Sequence, residues 1–145
     1  MKKLFTILVS LLVTASVYSQ TYNVNTFYGE LGGYVIKTDG TLFGVVVAMQ
    51  NQGAANWSDA EAMVNDASKH DSNGAKFNDW RLPTKDELNL IFLQKESIGG
   101  FNLGMSYWSS TEYDSGNAWY QNFVYGGQDA INEGSTFGVR AVRAF

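Results

Sequence analysis

Between Tyr113 and Glu133 the chain carries Tyr113, Asp114, Asn117, Trp119, Tyr120, Tyr125, Gln128, Asp129 and Asn132 among glycines and serines. Tyr and Trp offer large contact area at low entropy cost, and Asn, Ser and Gly offer adaptable hydrogen bonding, which is the composition of recognition surfaces. Aromatic faces flanked by amides and carboxylates also suit neutral sugars, through stacking and hydrogen bonds. The chemistry these residues predict is binding. A ligand-binding surface is expected from Tyr113, Asp114, Asn117, Tyr125, Gln128 and Asp129, with Trp119 at its edge. About half of the aromatics, Tyr120 and Phe123 among them, are expected to pack into a sheet instead. The Gln50 to Asn56 loop is the alternative location.

Bond-making chemistry finds less support. His70 is the only histidine. It follows the first expected helix, where the helix dipole favours it, and no nucleophile and orienting partner accompany it in sequence. Asp59, Glu61 and Asp66 lie on or near that helix, and Asp86 and Glu87 open the next. Capping and the dipole account for carboxylates at helix starts. Asp114, Asp129 and Glu133 are hard oxygen ligands on loops, but no calcium-loop spacing joins them. No catalytic residue, metal or cofactor is expected. The chain has no cysteine, so it has no disulfide, no thiol nucleophile and no lipid-anchoring thiol.

Residues 1–19 read as a signal peptide. Lys2 and Lys3 precede an apolar run from Leu4 to Val13, and Val17-Tyr18-Ser19 offers a cleavage site before Gln20. The run is short for a membrane span, and none is expected after cleavage. Removing residues 1–19 leaves 126 residues, enough for one domain, and 8 basic against 14 acidic residues, a net charge of about −6. An acidic domain is a poor partner for nucleic acid, whose phosphates require clustered Lys and Arg. Export to the periplasm, the cell surface or the medium is the expected localisation.

The elements that must position the binding residues follow in order. Residues 20–31 read as an N-terminal arm or edge strand. Tyr34 to Lys37 and Leu42 to Met49 read as a hairpin turning at Asp39-Gly40, with Val45-Val46-Val47 buried on both faces. Ser58 and Glu61 read as a capping box for a helix from Asp59 to Ser68, with Trp57 just before it. In Asp79-Trp80-Arg81-Leu82-Pro83, alternation predicts a short strand with Trp80 and Leu82 buried and Arg81 turned away. Pro83, the only proline, ends that strand. Thr84 and Glu87 then form a second capping box, and Leu88, Ile91 and Phe92 give the new helix an apolar stripe. Ser106 to Thr111, Ala118 to Val124 and Phe137 to Arg143 read as three late strands, joined by loops over Glu112 to Asn117 and Tyr125 to Thr136. Trp57, Trp80, Arg81, Pro83, Thr84, Glu87, Trp108, Arg140 and Arg143 are expected to be structural.

Four motifs occur in order: Asn56-Trp57-Ser58-Asp59-Ala60, Asp79 to Leu88, Tyr107-Trp108-Ser109-Ser110-Thr111-Glu112, and Val139-Arg140-Ala141-Val142-Arg143. Together they resemble the Lcl C-terminal domain family, long catalogued as a domain of unknown function, over residues 32–145. The resemblance implies an α+β, C-type-lectin-like fold, related to that of the formylglycine-generating enzymes, with two helices packed on a twisted antiparallel sheet. The activities of those relatives do not carry over. Formylglycine generation needs active-site cysteines, sugar-binding lectins need a proline-containing calcium loop, and the sulfated-polysaccharide binding known in the family uses basic residues. The expected function is a secreted or cell-surface binding module for adhesion, taking a glycan or protein ligand through its late loops, without enzymatic activity. A structural component of the cell envelope and a carboxylate-dependent hydrolase are the alternatives. Ligand identity and oligomeric state are not written in the sequence.

Overall fold

A computed structural model describes residues 20–145, and the expected signal peptide lies outside the described residues. The described chain has two helices and two sheets, an α+β architecture. The first sheet holds β1 (Thr26–Tyr28), β2 (Gly33–Thr38), β3 (Gly44–Val47) and β9 (Val142–Ala144), in that order. The second holds β4 (Gly53–Ala55), β8 (Phe137–Val139), β5 (Ser106–Asp114), β6 (Asn117–Asn122) and β7 (Gln128–Asn132). The helices are α1 (Trp57–Met63) and α2 (Lys85–Ile98), with a short 3-10 turn at Ala67–Lys69 after α1.

The single expected sheet is thus two, and the C-terminal segment shows why. Phe137 to Arg143 is not one strand. β8 pairs with β4 and, through Tyr107 and Gly138, runs parallel to β5, whereas β9 pairs with β3. At the corner between them the amide of Ala141 donates to Oε1 of buried Gln52 at 2.7 Å, and Ala48 donates to the Ala141 carbonyl. The chain changes sheets where a side chain, rather than a neighbouring strand, satisfies its backbone.

β3 lies between two packed clusters. Val46 joins Trp80, Leu82, Trp108, Val139, Ala60 and Val64 on one side. Val45 and Val47 join Leu88, Ile91, Tyr107, Phe123 and Val142 on the other. The valine run is therefore buried on both faces, as its composition predicts. Gly33 lets β2 approach β3: a Cβ there would lie 2.2 Å from the Val47 carbonyl oxygen. The β2–β3 connection is longer than a two-residue turn. It runs from Asp39 to Phe43, and Oδ1 of Asp39 accepts from the amides of Thr41, Leu42 and Phe43.

The central unit forms largely as its sequence dictates. Trp80 and Leu82 are buried, and Arg81 makes a single bridge to Val142 instead of a full strand. Thr84 caps α2, its hydroxyl accepting from the Glu87 amide at 3.2 Å while the Glu87 carboxylate accepts from the Thr84 amide at 2.8 Å. Arg81 is turned away from the core and forms a two-pronged pair with Glu87, at 2.6 and 2.8 Å. Burial pushes the Glu87 carboxyl up, but the Arg81 hydrogen bonds and the Thr84 amide outweigh it, so it lies below the usual range. Arg143 likewise holds Asp79 down, at 2.7 and 3.0 Å, while its guanidinium covers Phe77.

Both carboxyls are depressed in the folded state, so their contribution is complete above the unfolded carboxyl range and fades as the pH falls through the folded values. Thermal stability should therefore be flat through neutral pH and fall below about pH 4. Asp79→Asn should make that acid limb shallower in melts recorded across pH 2–7, a range chosen to span the roughly 4 of an ordinary carboxyl. An unchanged limb would mean that the Arg143 pair contributes nothing.

α1 differs from expectation. Asn56, not Ser58, is its cap, with Oδ1 accepting from the Asp59 amide at 2.9 Å. Trp57 is thus the first helical residue, half-buried, and its Nε1 donates to the Ser109 carbonyl at 2.7 Å. The helix ends at Met63 because the chain then turns through Asp66, whose side chain accepts from the Ser68 amide. Ala60 and Val64 are buried as expected, but Ala67 is exposed. His70 is also corrected. It ends the 3-10 turn rather than α1 and is buried, with its ring stacked on Trp80 at 4.7 Å and Nε2 2.7 Å from the Val64 carbonyl.

Candidate functional site

The late segment is more regular than its polar composition predicts. β5 continues to Asp114, so the expected loop from Glu112 shrinks to a tight turn, and Gln128–Asn132 inside the expected second loop is the edge strand β7. The expected Gln50 to Asn56 loop likewise contains β4, paired with β8. Short strands such as these form because a partner edge is present in space, and their own residues give no strand signal.

Strand alternation sorts the candidate residues. On β6 and β7, Trp119 pairs with Ala130 and Gln121 with Gln128, side chains of the face toward α2. Tyr120 pairs with Asp129 on the opposite face, where the Tyr120 ring packs on Phe137 at 4.7 Å. Burial, and after it the Asp129 charge, pushes the Tyr120 phenol up. Asp129 therefore does not join Trp119 and Gln128.

Tyr113 and Tyr125 are also apart. Tyr113 lies at the end of β5, next to the β5–β6 turn, and the β6–β7 turn carries Tyr125. The six residues of β6 separate these turns, about 17 Å at strand rise. Tyr125 is 78% exposed, beside exposed Val124.

What does converge is a cluster at the start of α2. Tyr113 is 62% exposed. Its ring meets Trp119 edge to face at 5.6 Å. The Lys85 ammonium lies 3.1 Å from the centre of the Trp119 ring, a cation–π contact. Three hydrogen bonds fix this lysine's backbone and surroundings: the Lys85 amide donates to Thr111 Oγ1 at 2.9 Å, Gln128 Nε2 donates to the Lys85 carbonyl at 2.7 Å, and the same Nε2 reaches Gln121 Oε1 at 3.2 Å. Gln128 is thus a positioning residue. Asp114 and Asn117 serve the turn: Oδ1 of Asp114 accepts from the Gly116 amide at 3.0 Å and from Asn117 Nδ2 at 2.7 Å. Those hydrogen bonds, the Asn117 side chain first, hold the Asp114 carboxyl below the usual range.

Lys85 is the member that sequence reasoning missed. It sits inside the capping motif and pairs with Trp119 only through the packing of α2 on the second sheet, a contact with no local signal. The remaining predicted structural residues hold the frame. Trp108 is fully buried and its Nε1 donates to the Ala55 carbonyl at 2.9 Å, so Trp57 and Trp108 tie α1 and β4 to β5 from both sides. Arg140 is fully buried, its guanidinium donating to carbonyls of Met49, Gly99 and Gly100 and to Asn51. Among the described residues, no three of His, Cys, Asp and Glu converge as metal ligands would, and Asp114, Asp129 and Glu133 are not gathered.

Two sheets and two helices, with a capped Arg-Leu-Pro-Thr unit leading into α2 and an aromatic-cation cluster where α2 meets β5 and β6, make an α+β domain. Sequence comparison places it more closely. The chain matches the Lcl C-terminal domain over residues 15–143, nearly its whole length, and belongs to that family. No curated protein matches the chain. No helix among the described residues is long and apolar enough to cross a membrane.

Proposed function

We propose that this chain is an exported, non-enzymatic binding module that recognises a glycan or protein ligand at the cell surface. The observation that supports this reading is the Tyr113–Trp119–Lys85 cluster. A large aromatic is exposed, yet its neighbours are fixed by a capped helix and three hydrogen bonds. Exposed rigid aromatics bind with little loss of side-chain entropy. Lys85 adds a positive charge to this cluster of a chain that is acidic overall, favouring ligands that carry hydroxyl or carboxylate oxygens.

Glycan and protein arrays probed with the purified protein identify the ligand class. With a ligand in hand, Tyr113→Ala should weaken binding roughly tenfold or more, as for a buried aromatic anchor, with the melting temperature nearly unchanged. Tyr125→Ala should have the smaller effect, since it lies at the other end of β6. The opposite ranking would move the site to the β6–β7 turn.

One observation favours the second reading, a structural component of the cell envelope. Leu42 and Phe43 are 70% and 69% exposed at the β2–β3 apex, held outward by Asp39 beside a cleft of about 350 Å³. Rigid apolar tips of this kind mark contact points between proteins. Loss of an assembly partner in Leu42→Ser/Phe43→Ser, with array binding intact, would support that role.

A further inference from the structure

On the opposite side of β5 lies a second cleft whose polar groups the fold leaves unused. Thr111 turns to Lys85, but its neighbour Ser110 lines a cleft of about 220 Å³ between α1 and the Trp80-Arg81-Leu82 segment. Its floor is apolar, from Trp80, Leu82 and Val64, all buried. Its rim carries Glu61, Asn65, Ser110 and Arg81.

Three of these rim groups, Glu61, Asn65 and Ser110, keep their side chains out of the fold's hydrogen bonds among the described residues. Glu61 pairs with no cation among the described residues. The Ser110 amide donates to the Pro83 carbonyl, but its hydroxyl, like the Asn65 amide, has no partner among them. Arg81 is partly committed. Nη1 donates to the Leu82 carbonyl and to Glu87, and Nη2 donates once to Glu87. A guanidinium has five N–H donors. The two left over are Nε–H and one Nη2–H, which share an edge and point in parallel. Such an edge donates to both oxygens of a carboxylate. Arg81 keeps 41% of its side chain exposed and lines the cleft.

We propose that this cleft binds a free α-amino acid with a small side chain. The ligand carboxylate lies on the free edge of Arg81. Its ammonium lies at Glu61, with the oxygens of Asn65 and Ser110 accepting the remaining N–H groups. Its side chain rests on Val64 and Leu82. An ammonium has three donors, and three oxygen-bearing side chains line the cleft, those of Glu61, Asn65 and Ser110. Opposite charges on one rim favour a zwitterion over its fragments: a simple carboxylate meets the unpaired Glu61, and a simple amine leaves the Arg81 edge unfilled. A neutral sugar matches neither charge. At about 30 Å³ per water, the cleft holds roughly seven waters, which suits alanine, serine or valine. It is smaller than the roughly 300–1,000 Å³ of sites for larger ligands. This site is independent of the aromatic cluster across the strand.

Calorimetric titration of the purified protein with alanine, serine and valine tests the assignment, alongside their N-acetyl derivatives, the matching amines and a neutral monosaccharide. At least one free amino acid should bind and raise the melting temperature. Acetylation, or removal of the carboxylate, should weaken binding roughly tenfold or more, as should Glu61→Gln, since each removes a charge-assisted contact. Glu61 is exposed and unpaired, so the variant should melt as the wild type does. No binding by any of the three amino acids overturns the proposal. So do equal binding of acetylated forms, unchanged affinity in Glu61→Gln, or binding of the monosaccharide alone.

Discussion

Arg140→Ala should lower the unfolding free energy by roughly 3–5 kcal/mol, because it strips a buried charge centre from a cage of acceptors. The Arg140 guanidinium donates to Asn51 Oδ1 at 2.8 Å and to the carbonyls of Gly99 at 2.8 Å, Gly100 at 3.1 Å and Met49 at 3.2 Å. It covers the Phe101 ring at 4.0 Å, and no carboxylate touches it. Burial pulls its pKa down to about 10, and it remains charged at neutral pH.

Two effects oppose each other when it is removed. Relief of the buried charge is favourable, by a few kcal/mol. Against it stand three carbonyls and an amide oxygen left without donors, at about 1–3 kcal/mol each, together with the lost packing of the stem. The acceptor term is the larger. Gly100 explains why the cage is so close: its φ is +71°, and a Cβ there would come within 2.9 Å of the Met49 carbonyl oxygen. Arg140→Met should be less severe than Arg140→Ala, since it restores the stem but not the donors. Denaturant unfolding within about 1 kcal/mol of wild type for Arg140→Ala would show that water replaces the guanidinium at little cost.

Trp80→Ala should cost a similar amount, roughly 3–5 kcal/mol, for a different reason. The Trp80 ring is buried where the segment before α2 meets the first cluster. It stacks on His70 at 4.7 Å, meets Phe77 edge to face at 6.4 Å, and donates from Nε1 to the Gly74 carbonyl at 3.0 Å. Truncation empties a large site and strands that carbonyl. Trp80→Phe separates the two in part, since it keeps most of the packing and loses the hydrogen bond with the smaller indole ring, at about 1–3 kcal/mol. The same ring floors the small cleft beside α1, so Trp80→Ala should also abolish binding there. A Trp80→Ala variant melting within about 1 kcal/mol of wild type would remove Trp80 from the core.

Several features were legible in the sequence because their causes are local. The Thr84–Glu87 box needs only two side chains three residues apart. The burial of Trp80 and Leu82 follows from alternation before a proline, and that of Val45 to Val47 from an unbroken apolar run. The ordered motifs around Trp57, Trp80, Trp108 and Arg140 identified the family, and so the α+β class. At α1 local cues competed: Asn56 and Ser58 are both good caps, and the choice of Asn56 fixed Trp57 in the helix, where its indole reaches β5. His70 stands in a polar stretch that gives no sign of burial, because the Trp80 face that covers it comes from ten residues further along the chain.

By itself, the sequence determined the capped helix α2, the doubly buried strand β3 and the aromatic content of the late segment, since each depends on neighbours within a few residues, and it determined the family through the order of four short local motifs. Tertiary structure alone decided which of those aromatics meet. It set Tyr113 and Trp119 against Lys85 and sent Tyr125 to the far turn and Asp129 to the opposite face. It also split the C-terminal strand between two sheets and placed Arg81 and an unpaired Glu61 on the lining of one cleft. The physical reason is that strand pairing and helix docking fix registers between distant segments, and a shift of one residue in such a register turns every side chain to the other face.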